Sequence, residues 1–452
     1  MSEMNKQVTE EQKELVKIPL WTSIAYGCGA AGGNIMSTLL ASFLLSYYTD
    51  TAGMAAAAIG TMFIVCRLLD GVTDLLMGGI VDRTNTKLGK CRPWILVSAP
   101  LMFLGIVLIL HVPDTTQGGK LLYAYLTYIF LNCIVYTILG ISHTSLLARM
   151  TRDSKARNTT STVSSILNNL SGLVIGSMIT VLQLNFGWTI TSVILGALSC
   201  ALILIPGIFC HEVVGMSEME KKQQAPMKEQ LPAVLRNRYF WISLLIGAVT
   251  LFVNANAIAA QIYYCNVVLQ DPAYMSVLMA VGQAPGVLIL FVMPWFVNRY
   301  SKRIFMTIGG VLMVIGFALC GMAGMNRALL LTGIIIRAVG IGPMFAGGYA
   351  FCADAADYGE WKFGIRSEGM MAASQSIGAK VGIGLGSACT AWILAAVNYV
   401  HGQVSDAVVS AIRFDLGWLG AIGSAVLIVL VLFMDVEKYL PEIRRSLGTA
   451  KD

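Results

Sequence analysis

The stretch CRLLDGVTDLLMGGIVDRTNTKLGKCRPW (66–94) is apolar enough to lie in hydrocarbon, yet it holds one arginine and two aspartates before ending in a basic run. Arg67, Asp70 and Asp74 stand at i, i+3 and i+7, which on a helix turning about 100° per residue keeps them within about 60° of one face. A charge at the centre of a bilayer costs at least about 2.5–3.5 kcal/mol, so that face turns into a bundle and marks an ion or substrate path. Two acids against one base on it ask for a cation or a proton. Asp70, Asp74 and the Thr73 hydroxyl offer three side chains within a turn and a half, toward the roughly five or six oxygens that a hard cation takes. Thr137, in the fourth apolar stretch, sits at nearly the depth of Asp70 and supplies another oxygen. Without a metal ion, a carboxylate buried there gains proton affinity instead. An internal salt bridge that only fixes helix packing is the plainer alternative.

The rest of the chain has the same character. Of its 452 residues 56% are apolar and only 12% charged, and its mean hydropathy is +0.71. Soluble domains carry about twice that charged share, so most of the surface faces lipid, and disorder or a disulfide scaffold is excluded. The net charge of +6 is spread over short connectors rather than gathered on one domain, which argues against nucleic acid as a partner. Ten cysteines lie singly with no metal-ligand spacing and read as small core residues. The amino-terminal 21 residues mix acids and lysines ahead of the first apolar run and read as a cytoplasmic tail, not a signal peptide.

About twelve apolar stretches, from 22–48 to 411–435, are long enough to cross some 30 Å of hydrocarbon. Of the 31 basic residues, 25 fall in the tails and alternate connectors, and Lys120, Arg327 and Arg413 in the opposite ones; Arg67, Arg337 and Lys380 lie within helices. Positive residues accumulate in cytoplasmic loops, so both termini are expected inside. The longest connector, 211–237, is polar and divides a bundle of about six helices at 1–210 from a second at 238–452. VDRTNTKLGKCRPW (81–94) after the second stretch and VNRYSKRIF (297–305) after the eighth form a weak internal echo. Duplicated halves of six helices with the site between them are the architecture of major facilitator transporters. The expected fold is therefore an all-α membrane protein of that kind, a multi-pass protein of a bacterial cytoplasmic (inner) membrane.

Further intramembrane polar groups lie in both halves. Lys380 stands near the middle of the eleventh stretch with Gln375 and Ser376 about one turn earlier, and Arg337 about halfway along the tenth. Asn34, Asn168, Asn169, Asn254, Asn256 and Gln261 offer amides on inward faces. Interhelical hydrogen bonding accounts for an amide as readily as ligand binding does. His143 is a candidate proton relay, and Asp354 and Asp357 at the inner mouth are expected to pair with Lys362 or Arg366 as a gate.

Four segments, SYYTD (46–50), RLLDGVTDLLMGGIVDRTNTKLGKCRPWIL (67–96), AYLTYIFLNCIVYTILGISHTSL (124–146) and DAADYGEWKFGIRSEG (354–369), resemble the glycoside-pentoside-hexuronide:cation symporters, the melibiose permease-like branch of the major facilitators. The resemblance implies a cation site at Asp70, Asp74 and Thr137, with Thr73 where that branch has an asparagine, which leaves Na⁺ and H⁺ both open. It implies a sugar site at Lys380, Gln375 and Ser376, with Phe345 as the aromatic that lies against a sugar face. Gly33-Asn34, Gly140, Thr144 and Ser165 replace the charged or aromatic residues that hold galactosides there. With those carboxylates gone, Lys380 and Arg337 favour an acidic glycoside such as a hexuronide over a neutral pentoside.

The expected activity is import of such a small molecule with a coupling ion, Na⁺ or H⁺, by a monomer that is not an enzyme and needs no cofactor. An uncoupled uniporter or a sugar-sensing protein of the same fold is the alternative. A prenyltransferase holding magnesium pyrophosphate on D-x-x-x-D acids fits less well, because Asp70 lies about mid-span and only one such cluster is present.

Overall fold

The computed structural model describes residues 18–151, 153–212, 232, 234–285, 301–364, 368–440 and 442–443. Among them the regular structure is helical throughout, with one isolated β-bridge between Thr86 and Gly89. In chain order the helices are α1 (Leu20–Ser42), α2 (Ala56–Arg83), α3 (Arg92–Ile109) and α4 (Gln117–Tyr128, resuming at Thr137–Met150). The continuous stretch Ser154–Phe209 breaks at Gly187, whose φ of 72° lies in the left-handed region that a side chain disfavours. It therefore supplies α5 (154–186) and α6 (188–209). The second half holds α7 (Arg238–Tyr263), α8 (described over 274–285), α9 (Lys302–Ala323), α10 (Arg327–Phe363), α11 (Glu368–Ala396) and α12 (Asp406–Arg413, resuming at Gly420–Phe433).

Eight helical stretches among the described residues are long and apolar enough to cross a membrane, and nine if Leu20–Ser42 and Leu44–Thr51, bent by 50°, count as one span. Lys155–Phe209 is counted once, yet its 55 residues extend roughly 80 Å, enough for two crossings. Large apolar side chains are exposed along most helices, for example Leu68, Val72 and Leu76 on α2, as expected of surfaces solvated by lipid.

Four π-helical turns interrupt the spans: Tyr47–Thr51, Ile129–Tyr136 in α4, Tyr264–Val268 after α7 and Phe414–Leu419 in α12. Each widens the helix by one residue and re-aims the side chains beside it, a device common at functional positions. The chain separates into two compact units, one of Met1–Tyr47 with Leu68–Glu218 and the other of Tyr48–Arg67 with Met219–Asp452. The first part of α2, through Arg67, is thus grouped with the second half of the sequence.

Within the first unit, α1 is stitched to α5 and α6 by short polar links. Ser23 and Thr160 share a 2.9 Å hydrogen bond, Ser171 donates to Ala31 O, and Ser199 donates to Gly32 O. Within the second unit, α7 and α11 approach with almost nothing between them. A Cβ on Gly378, Gly382 or Gly386 would lie 2.2, 2.1 or 2.4 Å from the carbonyl oxygens of Leu244, Ala248 and Phe252. Both triplets repeat every four residues, so one glycine stripe lies along one row of carbonyls.

Candidate functional site

In the first unit, Asp70 and Thr137 are 5% and 4% exposed, and Asp74 is half-buried. Asp70 shares its face of α2 with the buried Met77 and Val81, while Leu68, Leu69 and Val72 point outward. The π turn Ile129–Tyr136 ends where Thr137 begins and turns its hydroxyl toward α2. Thr137 Oγ1 lies 3.2 Å from Asp70 Oδ1 and 3.3 Å from Asp74 Oδ1, so one hydroxyl proton is shared between two carboxylates. Thr73 is placed differently: its hydroxyl donates to the Asp70 carbonyl at 3.1 Å, a back-bond along its own helix. Three oxygen-bearing side chains from two helices thus meet at one point, a hard-ligand set suited to a monovalent cation or a proton.

In the same unit, α1, α4 and α5 line an open pocket of about 350 Å³ with hydroxyl and amide side chains, among them Thr144, Ser161, Ser165, Asn168 and Asn169. His143 and Tyr26 form one wall, their rings stacked 4.0 Å apart. His143 Nε2 meets Tyr26 O at 2.8 Å and Tyr26 Oη donates to His143 O at 3.0 Å, which fixes the imidazole as part of the frame. Asn34 donates to Asn168 O at 2.8 Å. That bond commits its amide to joining α1 and α5.

In the second unit, Gln375 is 8% exposed and its amide lies in a slot made by two glycines. A Cβ on Gly247 of α7 would come within 2.7 Å of Gln375 Oε1, and one on Gly348 of α10 within 3.1 Å of Nε2. Gln375 Nε2 is buried with no hydrogen-bond partner, an unsatisfied donor that a bound molecule can use. Lys380 is half-buried, and Ser376 and Phe345 are exposed. Arg67, half-buried, lays its aliphatic stem along Gly384 of α11.

Arg337 is 7% exposed and turns toward α9, its guanidinium 5.3 Å from the Phe317 ring centre and its Cβ packed on Gly316. Asp354 pairs with Lys302 of α9 at 2.6 Å rather than with Lys362, which donates to Tyr358 Oη at 2.8 Å. Lys362 is more than two helical turns from Asp354, whereas Lys302 opens the neighbouring helix. Burial pushes the Asp354 carboxyl above the ordinary aspartate range, and Lys302 offsets part of that rise. Asp357 is half-buried, and Arg366 lies outside the described residues.

Two features lie outside the residues read from the sequence. Glu212, just past α6, accepts from the backbone N–H groups of Lys90, Cys91 and Arg92 at 3.0, 2.7 and 3.1 Å, closing the start of α3. Asp415 lies 2% exposed in the π turn of α12. An acid inside an apolar span was the signal available for it; for Glu212 there was none.

The comparisons with known proteins agree with one another. A family model described as MFS/sugar transport protein matches residues 25–438. The isoprimeverose transporter of Lactiplantibacillus pentosus is 28% identical over 444 residues, covering 95% of this chain and 91% of that protein. The glucuronide carrier protein homolog of Escherichia coli (strain K12) is 29% identical over 410 residues, covering 87% and 88%. Among solved structures, the nucleoside transporter NupG superposes with a TM-score of 0.64 at 16% identity, over 91% of this chain and 98% of that one. A bacterial homolog of the human lysosomal transporter Spinster gives 0.63 at 15%, over 96% and 98%. These likenesses show the major facilitator fold that the twelve-helix reading anticipated. The chain belongs to the MFS/sugar transport protein family, whose members are membrane transporters and not enzymes.

Proposed function

We propose that this protein is a cation-coupled symporter that imports a glycoside, pentoside or hexuronide across a bacterial cytoplasmic membrane by alternating access, with both termini inside. The observation that carries the reading is the single Thr137 hydroxyl shared by Asp70 and Asp74. A Na⁺ ion or a proton bound there adds positive charge between the two carboxylates. Substrate then binds a pre-neutralised protein more tightly, and by reciprocity it tightens the cation by the same factor.

Groups in each unit support a sugar as the substrate. Hydroxyl and amide side chains of the first-unit cavity suit a polyol, and the Gln375 amide offers a free donor. Lys380 of α11 is the cation we assign to a substrate carboxylate, whereas Arg337 is turned against Phe317. One relative is named for isoprimeverose and another for glucuronides, which supports glycosides and hexuronides as candidates.

The test is uptake into proteoliposomes with imposed Na⁺ or H⁺ gradients, together with thermal-shift screening of hexuronides, pentosides and galactosides in Na⁺ and in K⁺ buffer. Asp74→Asn is expected to abolish concentrative uptake while the protein keeps its melting temperature within a few degrees. Undiminished uphill transport in that variant refutes the cation assignment, and uptake indifferent to every gradient favours a uniporter.

A further inference from the structure

Outside the Asp70 and Asp74 pair, the most deeply buried acid of the described residues is Asp415, and its surroundings are all neutral. Asn256 Nδ2, from α7, donates to Asp415 Oδ1 at 2.7 Å and to Thr390 Oγ1 of α11 at 3.0 Å. Thr390, whose hydroxyl donates to Asn256 O at 3.4 Å, stands beside the same carboxyl. Facing it further are Tyr263 of α7 and Cys389 of α11, both uncharged groups. From α9 the π turn is met by Phe317 and the bare backbone of Gly321. Arg413, two residues away, spends its guanidinium on Gly321 O. Neutral neighbours do not offset the cost of a bare carboxylate in so dry a place, whereas a proton does. The cluster is also one donor short, since Asn256 Oδ1 is buried and accepts nothing. A proton on Asp415 supplies that donor once the amide turns, because 2.7 Å is an ordinary O–H···O distance.

A second set of polar groups lies at the end of α7, beyond this cluster. Tyr263 follows Asn256 by seven residues, two turns along the same face, roughly 10 Å away. Its hydroxyl lies 2.8 Å from Thr49 Oγ1, and Thr49 donates in turn to Asp50 Oδ1 at 2.8 Å. Thr49 has one proton to give, so Tyr263 is the donor to Thr49. Asp50 also accepts from Tyr399 Oη at 3.2 Å and lies 3.6 Å from His401 Nδ1, which is largely exposed. Two π turns, Tyr47–Thr51 and Tyr264–Val268, bring these groups together.

We propose that Asp415 is a second proton-binding site, independent of the Asp70 and Asp74 pair, filled when Asn256 and Thr390 close on it and reached from His401 and Asp50 through Thr49 and Tyr263. The step is a proton transfer and nothing else: a solvent proton passes along hydroxyl groups to the carboxylate, and the reverse path returns it.

Infrared difference spectroscopy of the full-length protein in lipid nanodiscs tests this. Wild type minus Asp415→Asn is expected to show the carbonyl stretch of a protonated carboxylic acid at neutral pH, fading as the medium is made alkaline. Tyr263→Phe is expected to keep that band but slow its shift on transfer to D₂O by tenfold or more. Carboxylate bands in place of the acid band at neutral pH, a band that never titrates, or unchanged exchange in Tyr263→Phe each overturn the proposal. If Asp415→Asn is not recovered folded, Asp415→Glu serves, because it moves the same band instead of deleting it.

Discussion

Replacing Thr137 by valine keeps the side chain's shape and removes the one proton that Asp70 and Asp74 share. Loss of a hydrogen bond to a charged group costs about 1.5–3 kcal/mol. Thr137→Val also removes an oxygen offered to a bound Na⁺, so it is expected to weaken Na⁺-induced thermal stabilisation by roughly ten- to a hundredfold in apparent affinity, read from Na⁺ titrations of melting temperature. Cys91 and Cys210, just outside α3 and α6, make a second residue-scale expectation. Burial pushes both thiols up to about 12, and the reactive species is the thiolate, so neither is expected to react with maleimide near neutral pH until the protein unfolds. The two acids were legible in the sequence because charge is costly in lipid and helical spacing is arithmetic. That the Thr73 hydroxyl would turn to its own helix was not, since a rotamer choice between backbone and neighbour leaves no trace in residue spacing. The polar connector that begins at 211 likewise gave no hint that Glu212 closes α3, a contact made across 120 residues or more.

At the scale of elements, the helices themselves followed from apolar length, while the π turns did not, because a one-residue widening leaves the hydropathy pattern unchanged. The glycine run around 378–386 was visible, but its partner was not: three glycines meet three carbonyls of α7. Gly382→Ala puts a methyl 2.1 Å from Ala248 O, and the obstacle is backbone, which cannot swing aside. Overpacking of this kind costs typically about 1–3 kcal/mol, so the variant is expected to melt lower and to lose transport, whereas Gly78→Ala, with open space at its Cβ, leaves both unchanged. Glu212→Ala removes the acceptor of three N–H groups at the start of α3. By the ordinary worth of a helix cap it costs about 0.5–2 kcal/mol, measurable as a lower melting temperature.

For the molecule as a whole, stability is expected to depend on pH through Asp354. Its folded-state proton affinity is raised, with Lys302 opposing the rise. A folded state that holds a proton more tightly than the unfolded chain loses stability as pH climbs from about 3.9, the ordinary aspartate value, through the raised one, and loses no more beyond it. Lys302→Met removes the opposing charge, so its melting temperature is expected to fall below wild type at neutral pH, with the gap closing on acidification. A gap that widens in acid contradicts the assignment.

The bare contact between α7 and α11 also decides what can move independently. With no side chains interposed, the pair has no compressible layer and behaves as one stiff spar. Gln375 and Lys380 ride on one strand of it, Asn256 and Tyr263 on the other. Any displacement imposed at Gln375 or Lys380 must reach the buried carboxyl cluster undamped.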